Sequence, residues 1–237
     1  MQIRIDKYLA HMGVGTRSEV KNQIRKKQVQ VNGICPSGPE QKVTIGIDQV
    51  MVSGSIISYV TFEYYLFYKP AGCVSATTDA SHTTVLDYIT SKNRKDLFPV
   101  GRLDLDTEGL LLLTNDGALA HELLSPQKHV SKTYYAKIDG CVTLEDIKIF
   151  ADGIDIGEEK ITRPGILRIL SSGLKSEIEL TITEGKYHQV KRMFQAIGKP
   201  VLYLKRISMG PLQLDTNMNP GEYRQLTSKE LRALGKK

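Results

Sequence analysis

Apolar positions near the N-terminus recur at helical spacing. Ile5, Leu9 and Met12 share one face and predict a short first helix. Thr16 followed by Glu19 is a capping-box pair, so a second helix is predicted from Arg17, with Val20 and Ile24 turned inward. QVQVNG then alternates and closes on Asn32-Gly33, which predicts a hairpin, and DQVMVSG supplies another short strand. Serine and glycine cluster in SGSII, so a boundary is expected there. The reading is a small α/β module over 1–57, a linker over 58–61 and a larger domain over 62–237.

In the larger domain EYYLFYK reads as a strand stopped by Pro70 and Gly72, and TVLDYI as a short helix. Leu110–Leu113 form a short run, apolar on both faces and ended by Asn115-Asp116-Gly117, hence a buried strand. KTYYAKIDG is a strand on which Tyr134 and Tyr135 alternate, so only one can face a given side. Thr143 and Asp146 cap a helix in TLEDIKIFADG. SEIELTIT alternates with Ile178, Leu180 and Ile182 inward. YHQVKRMFQAIG is amphipathic, with Val190, Met193, Phe194 and Ile197 on one face and His188, Lys191, Arg192 and Gln195 on the other. VLYLKRI is a further strand, and Thr227 with Glu230 caps a last helix. Several strands follow one another with no helix between. An α+β domain is therefore expected, with a mixed, largely antiparallel sheet flanked by helices. Neither G-x-G-x-x-G nor G-x-x-x-x-G-K-[ST] occurs, so dinucleotide and P-loop chemistry are not indicated.

Charge changes this picture more than composition does. The net charge is +6, and residues 1–60 hold eight Lys/Arg against four Asp/Glu, so a quarter of the chain carries +4 of it. On the second helix Arg17, Lys21 and Arg25 recur every fourth residue, and Lys26 and Lys27 follow. A local basic excess suits a polyanion, because displaced counterions drive binding to phosphates; a merely soluble basic surface is the alternative. Cys35, Cys73 and Cys141 are scattered and form no C-x-x-C pair, which suggests neither a disulfide framework nor a zinc site. No apolar run is long enough to span a bilayer, and MQIRIDKYLA is too charged for a signal peptide. A soluble, cytoplasmic protein is expected, with no sign of obligate oligomerisation.

The candidate chemistry lies in VGRLDLDTEGLLLLTNDG, where Asp104, Asp106 and Glu108 precede the leucine run. Three readings compete. A metal site is disfavoured by Arg102, two residues from Asp104. A solvated approach to a strand suits Asp106 and Glu108. Asp104, between Leu103 and Leu105, needs a partner to remain charged against apolar surface. A carboxylate held ionised by Arg102 serves as nucleophile or base, and a structural Arg–Asp pair is the plain alternative.

Two resemblances weigh on that choice. RIDKYLAHMGVGTRSEVKNQIRKKQVQVNG resembles the S4 RNA-binding domain over roughly residues 2–57, with Lys27 where many members carry Gly. GRLDLDTEGLLLLTNDG resembles the catalytic signature of the RsuA-type pseudouridine synthases. YKPAG, KTYYAKIDG, EGKYHQVKRMF and GEYRQLTSKEL match further motifs of that branch in order. The resemblance implies an isomerase that cuts a uridine's N-glycosidic bond and rejoins the base through carbon, without cofactor, metal or ATP. It implies Asp104 as the catalytic group, Arg102 as its partner and a holder of the extruded nucleotide, Tyr134 stacking on the base, and Lys191 pairing with the aspartate from behind. Arg4, Lys7, Arg17, Lys21, Arg25, Lys26, Lys27 and Arg192 are the implied RNA contacts. EGKYHQVKRMF resembles the small-subunit branch more than the large-subunit one. This implies 16S rRNA, or a small-subunit assembly intermediate, as partner, with the uridine equivalent to 516 as target. A 23S rRNA enzyme, or an S4-type binding factor with an idle catalytic domain, are the alternatives.

Overall fold

The first unit begins with strand β1 (Gln2–Arg4), helix α1 (Ile5–His11) and helix α2 (Arg17–Arg25). The capping box forms in full: Thr16 accepts from the Glu19 amide while Glu19 accepts from the Thr16 amide. Strands β2 (Val29–Val31), β3 (Lys42–Thr44), β4 (Val50–Val52) and β5 (Ser55–Ile56) complete its regular structure. β1 pairs with β3, and β2, β4 and β5 make a separate antiparallel sheet. Ile5, Leu9, Val20, Ile24, Val29, Val43 and Val50 build the core. In the computed structural model, which describes residues 1–236, this unit comprises 1–63 together with 90–97. Residues expected as linker pack inside it: Tyr59 lies against Tyr8, its hydroxyl is 2.8 Å from His11 Nδ1, and Arg94 stands over its ring.

Asn32 and Gly33 both take positive φ, as a tight turn requires, yet the expected hairpin does not extend. Only a single bridge, Val31 to Ile34, closes the turn, and β2 takes β4 as partner instead. Pro36 and Pro39 follow at once and cannot donate to a ladder.

The second unit spans 64–89 and 98–237. Its strands are β6 (Tyr64–Lys69), β7 (Phe98–Pro99), β8 (Glu108–Thr114), β9 (Lys132–Asp139), β10 (Ile166–Ser171), β11 (Lys175–Ile182), β12 (Val201–Met209), β13 (Leu212–Gln213) and β14 (Tyr223–Gln225). Its helices are α3 (Gly117–Leu124), α4 (Leu144–Asp152), α5 (Gln189–Ala196) and α6 (Ser228–Ala233). They form one nine-stranded sheet with the path β10-β11-β9-β12-β8-β6-β14, β13 joining β12 and β7 joining β8. Every pair is antiparallel except β8 with β12. This is the mixed, largely antiparallel α+β domain the strand succession predicts. The leucine run of β8 is buried on both faces: Leu110 and Leu112 meet α3, and all four leucines have no exposure. Phe150 of α4 and Phe194 of α5 pack ring to ring at 4.7 Å.

Two local expectations change. TVLDYI is a pair of turns, not a helix: Asp87 caps the Thr84 amide and hydroxyl, while the Val85 amide is taken by the Val74 carbonyl. The Asn115-Asp116-Gly117 stop is also a helix start, because Asp116 accepts from the Leu119 amide and opens α3. Among the described residues no helix is long and apolar enough to cross a membrane.

Candidate active site

Asp104 sits in a turn closed by the Thr107 amide donating to the Asp104 carbonyl, with aspartate at the position such turns favour. The turn is anchored from below. The fully buried Lys69 at the end of β6 donates its three ammonium hydrogens to the carbonyls of Pro70, Leu105 and Thr107, and the Gly72 amide donates to Leu105. Ser75 exchanges hydrogen bonds with the Leu103 amide and carbonyl at 3.0 Å each. The Y-K-P-A-G segment therefore acts as a clamp that fixes where the Asp104 carboxylate points.

Gly109 shapes the ground beneath. It has φ +107°, and a Cβ there would lie 2.2 Å from the Arg206 carbonyl oxygen, so only glycine lets β8 approach β12.

Two side chains from the segment around α5 meet the carboxylate. Lys191 Nζ is 3.1 Å from Asp104 Oδ2 and 2.5 Å from Asp106 Oδ1. His188 Nε2 is 3.5 Å from Asp104 Oδ1. Burial alone would lower the Lys191 pKa, but its hydrogen bonds to Asp106 and Asp104 outweigh this and raise it. The same ammonium, through its hydrogen bond, holds Asp106 below the usual carboxylate range. Asp106 is thus more than a solvated residue, although its side chain is 73 % exposed. Glu108 lies in the first position of β8 and accepts from the Tyr203 hydroxyl at 2.6 Å.

A cavity of about 190 Å³ opens beside Asp104. Lys132 and Tyr134 of β9, Leu204 and Arg206 of β12, and Ile182 of β11 form its floor. Segments 101–104 and 183–190 form walls. The alternation of β9 turns Tyr134 into the cavity, and Tyr135 goes to the other face, against Tyr203 and Lys205. Arg102 lines the cavity and is an exposed residue. It forms no ion pair with Asp104; the charged partners at that carboxylate among the described residues are Lys191 and His188, and the Thr107 hydroxyl donates to Asp104 Oδ2 at 3.5 Å.

His188, which the sequence pattern places only on the polar face of this segment, is the residue at the carboxylate that sequence reasoning does not single out. It precedes α5 in the left-handed region at φ 48°, and its ring stacks on Tyr187 at 3.8 Å. Gln189 holds the turn by bonding the Lys186 amide and the Glu184 carboxylate. A non-glycine residue in this region stores strain, a feature that gathers at functional sites. No pattern in the sequence signals it.

Arg192 is engaged rather than free: it reaches Glu158 at 2.7 Å and the carbonyls of Tyr187 and Ile156. In the first unit Arg4 and Arg17 both bond the fully buried Asp6. Burial would raise the Asp6 pKa, but the hydrogen bonds and charges of the two arginines lower it. Lys7, Lys21, Arg25, Lys26 and Lys27 have no acidic partner within ion-pair distance among the described residues. Lys27 takes φ 57°: with the Gln28 amide donating to Gln23 and the Lys27 amide to Ile24, it ends α2 in a Schellman motif.

The sequence pattern of the RNA pseudouridylate synthases matches residues 63–196, more than half of the chain, and contains the whole cavity wall from Gly101 to Val190. The chain belongs to the RNA pseudouridylate synthase family. The synthase is an isomerase that converts uridine in RNA to pseudouridine, and residues 3–46 match the S4 domain. It is 45% identical over 234 residues, 98% of each chain, to the uncharacterized RNA pseudouridine synthase YtzG of Bacillus subtilis (strain 168). It is 39% identical over 98% of its length to the ribosomal large subunit pseudouridine synthase B of the same organism, covering 95% of that chain. It is 36% identical to the ribosomal small subunit pseudouridine synthase A of Yersinia pestis, over 98% of both chains. A crystal structure of a pseudouridylate synthase, 35% identical, superimposes with a TM-score of 0.69 and covers 98% of this chain and 99% of that one.

Proposed function

We propose that this synthase modifies one uridine of 16S rRNA, the one equivalent to 516, and that Asp104 is the group that acts on it. The observation that carries the assignment is the convergence of Asp104, Tyr134 and Arg102 on one cavity, with Lys191 paired to the aspartate. The target base must leave its stack to enter such a cavity. Tyr134 then stacks on the base, and the exposed Arg102 holds the extruded nucleotide by its phosphate or ribose. Lys191 fixes the orientation of the Asp104 carboxylate; as a point charge it is shared with Asp106, where a guanidinium fork would bind one carboxylate side-on. The clamp from Lys69 keeps the turn from moving as the ammonium and the nucleotide compete for the carboxylate.

The first unit supplies sequence-independent affinity. Lys7, Lys21, Arg25, Lys26 and Lys27 are cations left available for phosphates. Arg4 and Arg17 serve from positions set by Asp6, while Arg192, tied to Glu158, acts through the site wall.

The small-subunit assignment leans on the segment EGKYHQVKRMF. A second reading, 23S rRNA, is favoured by the higher identity to the large-subunit synthase B than to the small-subunit synthase A, 39% against 36%. Primer extension on carbodiimide-treated rRNA, from cells with and without the gene, decides between them. Loss of a single 16S stop is expected. Loss of a 23S stop instead overturns the target and keeps the chemistry. No change in either rRNA removes both and favours a binding factor.

A further inference from the structure

The cavity floor carries two buried cations that no carboxylate among the described residues neutralises. Lys132 and Arg206 are 7% and 2% exposed and both line the cavity. In the β9–β12 register Arg206 faces Tyr134, and Lys132 lies on the same face two residues away. Lys132 donates to the Val130 carbonyl, and Arg206 Nε to the Leu110 carbonyl. Arg206 Nη2 is buried with no hydrogen-bond partner. Among the described residues neither cation has a carboxylate within ion-pair distance. The two carboxylates that line the cavity are occupied: Asp104 by Lys191 and His188, Glu184 by the Arg163 amide and Gln189. Lys69 shows the contrast, since it is equally buried but satisfied by three carbonyls.

Burying a charge without a partner is among the costliest things a fold can do. Lys132 registers the cost: burial first, and then the charge of Arg206, hold its ammonium below the ordinary lysine range. An arrangement of this kind is completed by an anion that arrives from outside.

We propose that Lys132 and Arg206 form an anion subsite for the uracil ring at the moment it is detached from the ribose. The inference rests on the reading of Asp104 as the group acting on the target. When the N1–C1′ bond breaks, its electron pair goes to the ring and spreads over N1, O2 and O4, and C1′ is left as an electron-poor oxocarbenium carbon, balanced by the Asp104 carboxylate, that accepts the next bond. The C5–C1′ bond then forms with a pair from the ring; the proton lost at C5 is balanced by one gained at N1. The ring is fully anionic only between these two events. Cations that meet it there stabilise the reacting species more than the bound substrate, and so act on rate rather than affinity. A planar aromatic side chain beside two cations fits a planar, conjugated anion. The phosphodiester is a poorer fit, because Asp104 has to reach the sugar–base junction, and the base is what extends beyond that point into the cavity.

The test uses the full chain and its RNA substrate. Arg206→Met and Lys132→Met are compared with wild type for RNA affinity and for the single-turnover rate, after thermal melting shows that each is folded. RNA affinity within about twofold of wild type and a rate lower by about a hundredfold are expected in each, with Arg206→Lys recovering much of the loss. A second measurement needs no turnover. Binding of 5-nitrouracil, which is ionised at neutral pH, should exceed that of neutral uracil in wild type, and Lys132→Met should abolish the preference. Wild-type rates in folded Arg206→Met, or equal binding of the two rings by wild type, overturn the proposal. So does a rate loss matched by a loss of RNA affinity, or competition by inorganic phosphate at the floor, since both mark a phosphate site. If the wild type turned over no RNA, the reading of Asp104 would fall, and the ring preference would still judge the floor.

Discussion

At the scale of single residues, the positions that matter most are those whose surroundings are at odds with ordinary rules. Asp104 is flanked by leucines and shares one ammonium with Asp106. The sequence singles out Asp104 because an aspartate against apolar surface demands a partner, but it names Arg102 as that partner through proximity in the chain. Arg102 lines the cavity without pairing with the carboxylate, and a lysine 87 positions downstream takes the place. His188 was invisible for a different reason: a lone histidine carries no spacing signal, and its reach to Asp104 depends on a left-handed backbone that no pattern encodes. Lys27 is strained in the same way. A non-glycine residue there costs about 1–2 kcal/mol of backbone energy, and the free ammonium is what the chain retains for it. Lys27→Gly should therefore raise the melting temperature. It should also lower RNA affinity and reduce the salt slope by roughly 0.7–0.9, the share of a single phosphate that is no longer neutralised. An unchanged slope would mean that Lys27 does not touch RNA.

At the scale of elements, caps and alternation were the most legible features. The Thr16–Glu19, Thr143–Asp146 and Thr227–Glu230 boxes start their helices where the pattern puts them. This is because a cap is decided by three or four neighbouring residues. Elements whose fate depends on distant partners were not legible. The Asn32-Gly33 turn forms, but β2 finds β4 across the chain; TVLDYI is diverted by a carbonyl of Val74. Gly109 reads locally as the residue before a leucine run, whereas its meaning lies in the backbone of β12. Helix α6 offers a test of a cap by pH. Hydrogen bonds from Arg224 ahead of those from Thr227 lower the Glu230 pKa from 4.5 to about 2. A carboxylate depressed in the folded state adds stability above pH 4.5, and that contribution is lost as pH falls toward about 2. Wild type should melt higher than Glu230→Gln at pH 6, with the gap closing progressively below pH 4.5. A gap independent of pH would show that the loss comes from packing, not charge.

At the scale of the whole molecule, a basic N-terminal quarter and a strand-rich remainder were both evident from charge and periodicity, and the two units each carry a core of their own. The contribution of residues 90–97 to the first unit was not, because a short excursion within a longer domain leaves no compositional trace. In the function proposed above, one carboxylate, anchored through Lys69 and paired with Lys191, acts on a uridine of RNA, and the basic first unit adds affinity for that RNA. Because the reaction exchanges the hydrogen at C5 of the target, tritium placed there is released once per event. The most direct measurement is tritium release from RNA labelled at C5 of uridine, by purified wild type and by Asp104→Asn. Wild type should release one equivalent per target site. Asp104→Asn, folded and binding RNA as tightly, should release none above background. Release by Asp104→Asn at a rate near wild type would contradict the account.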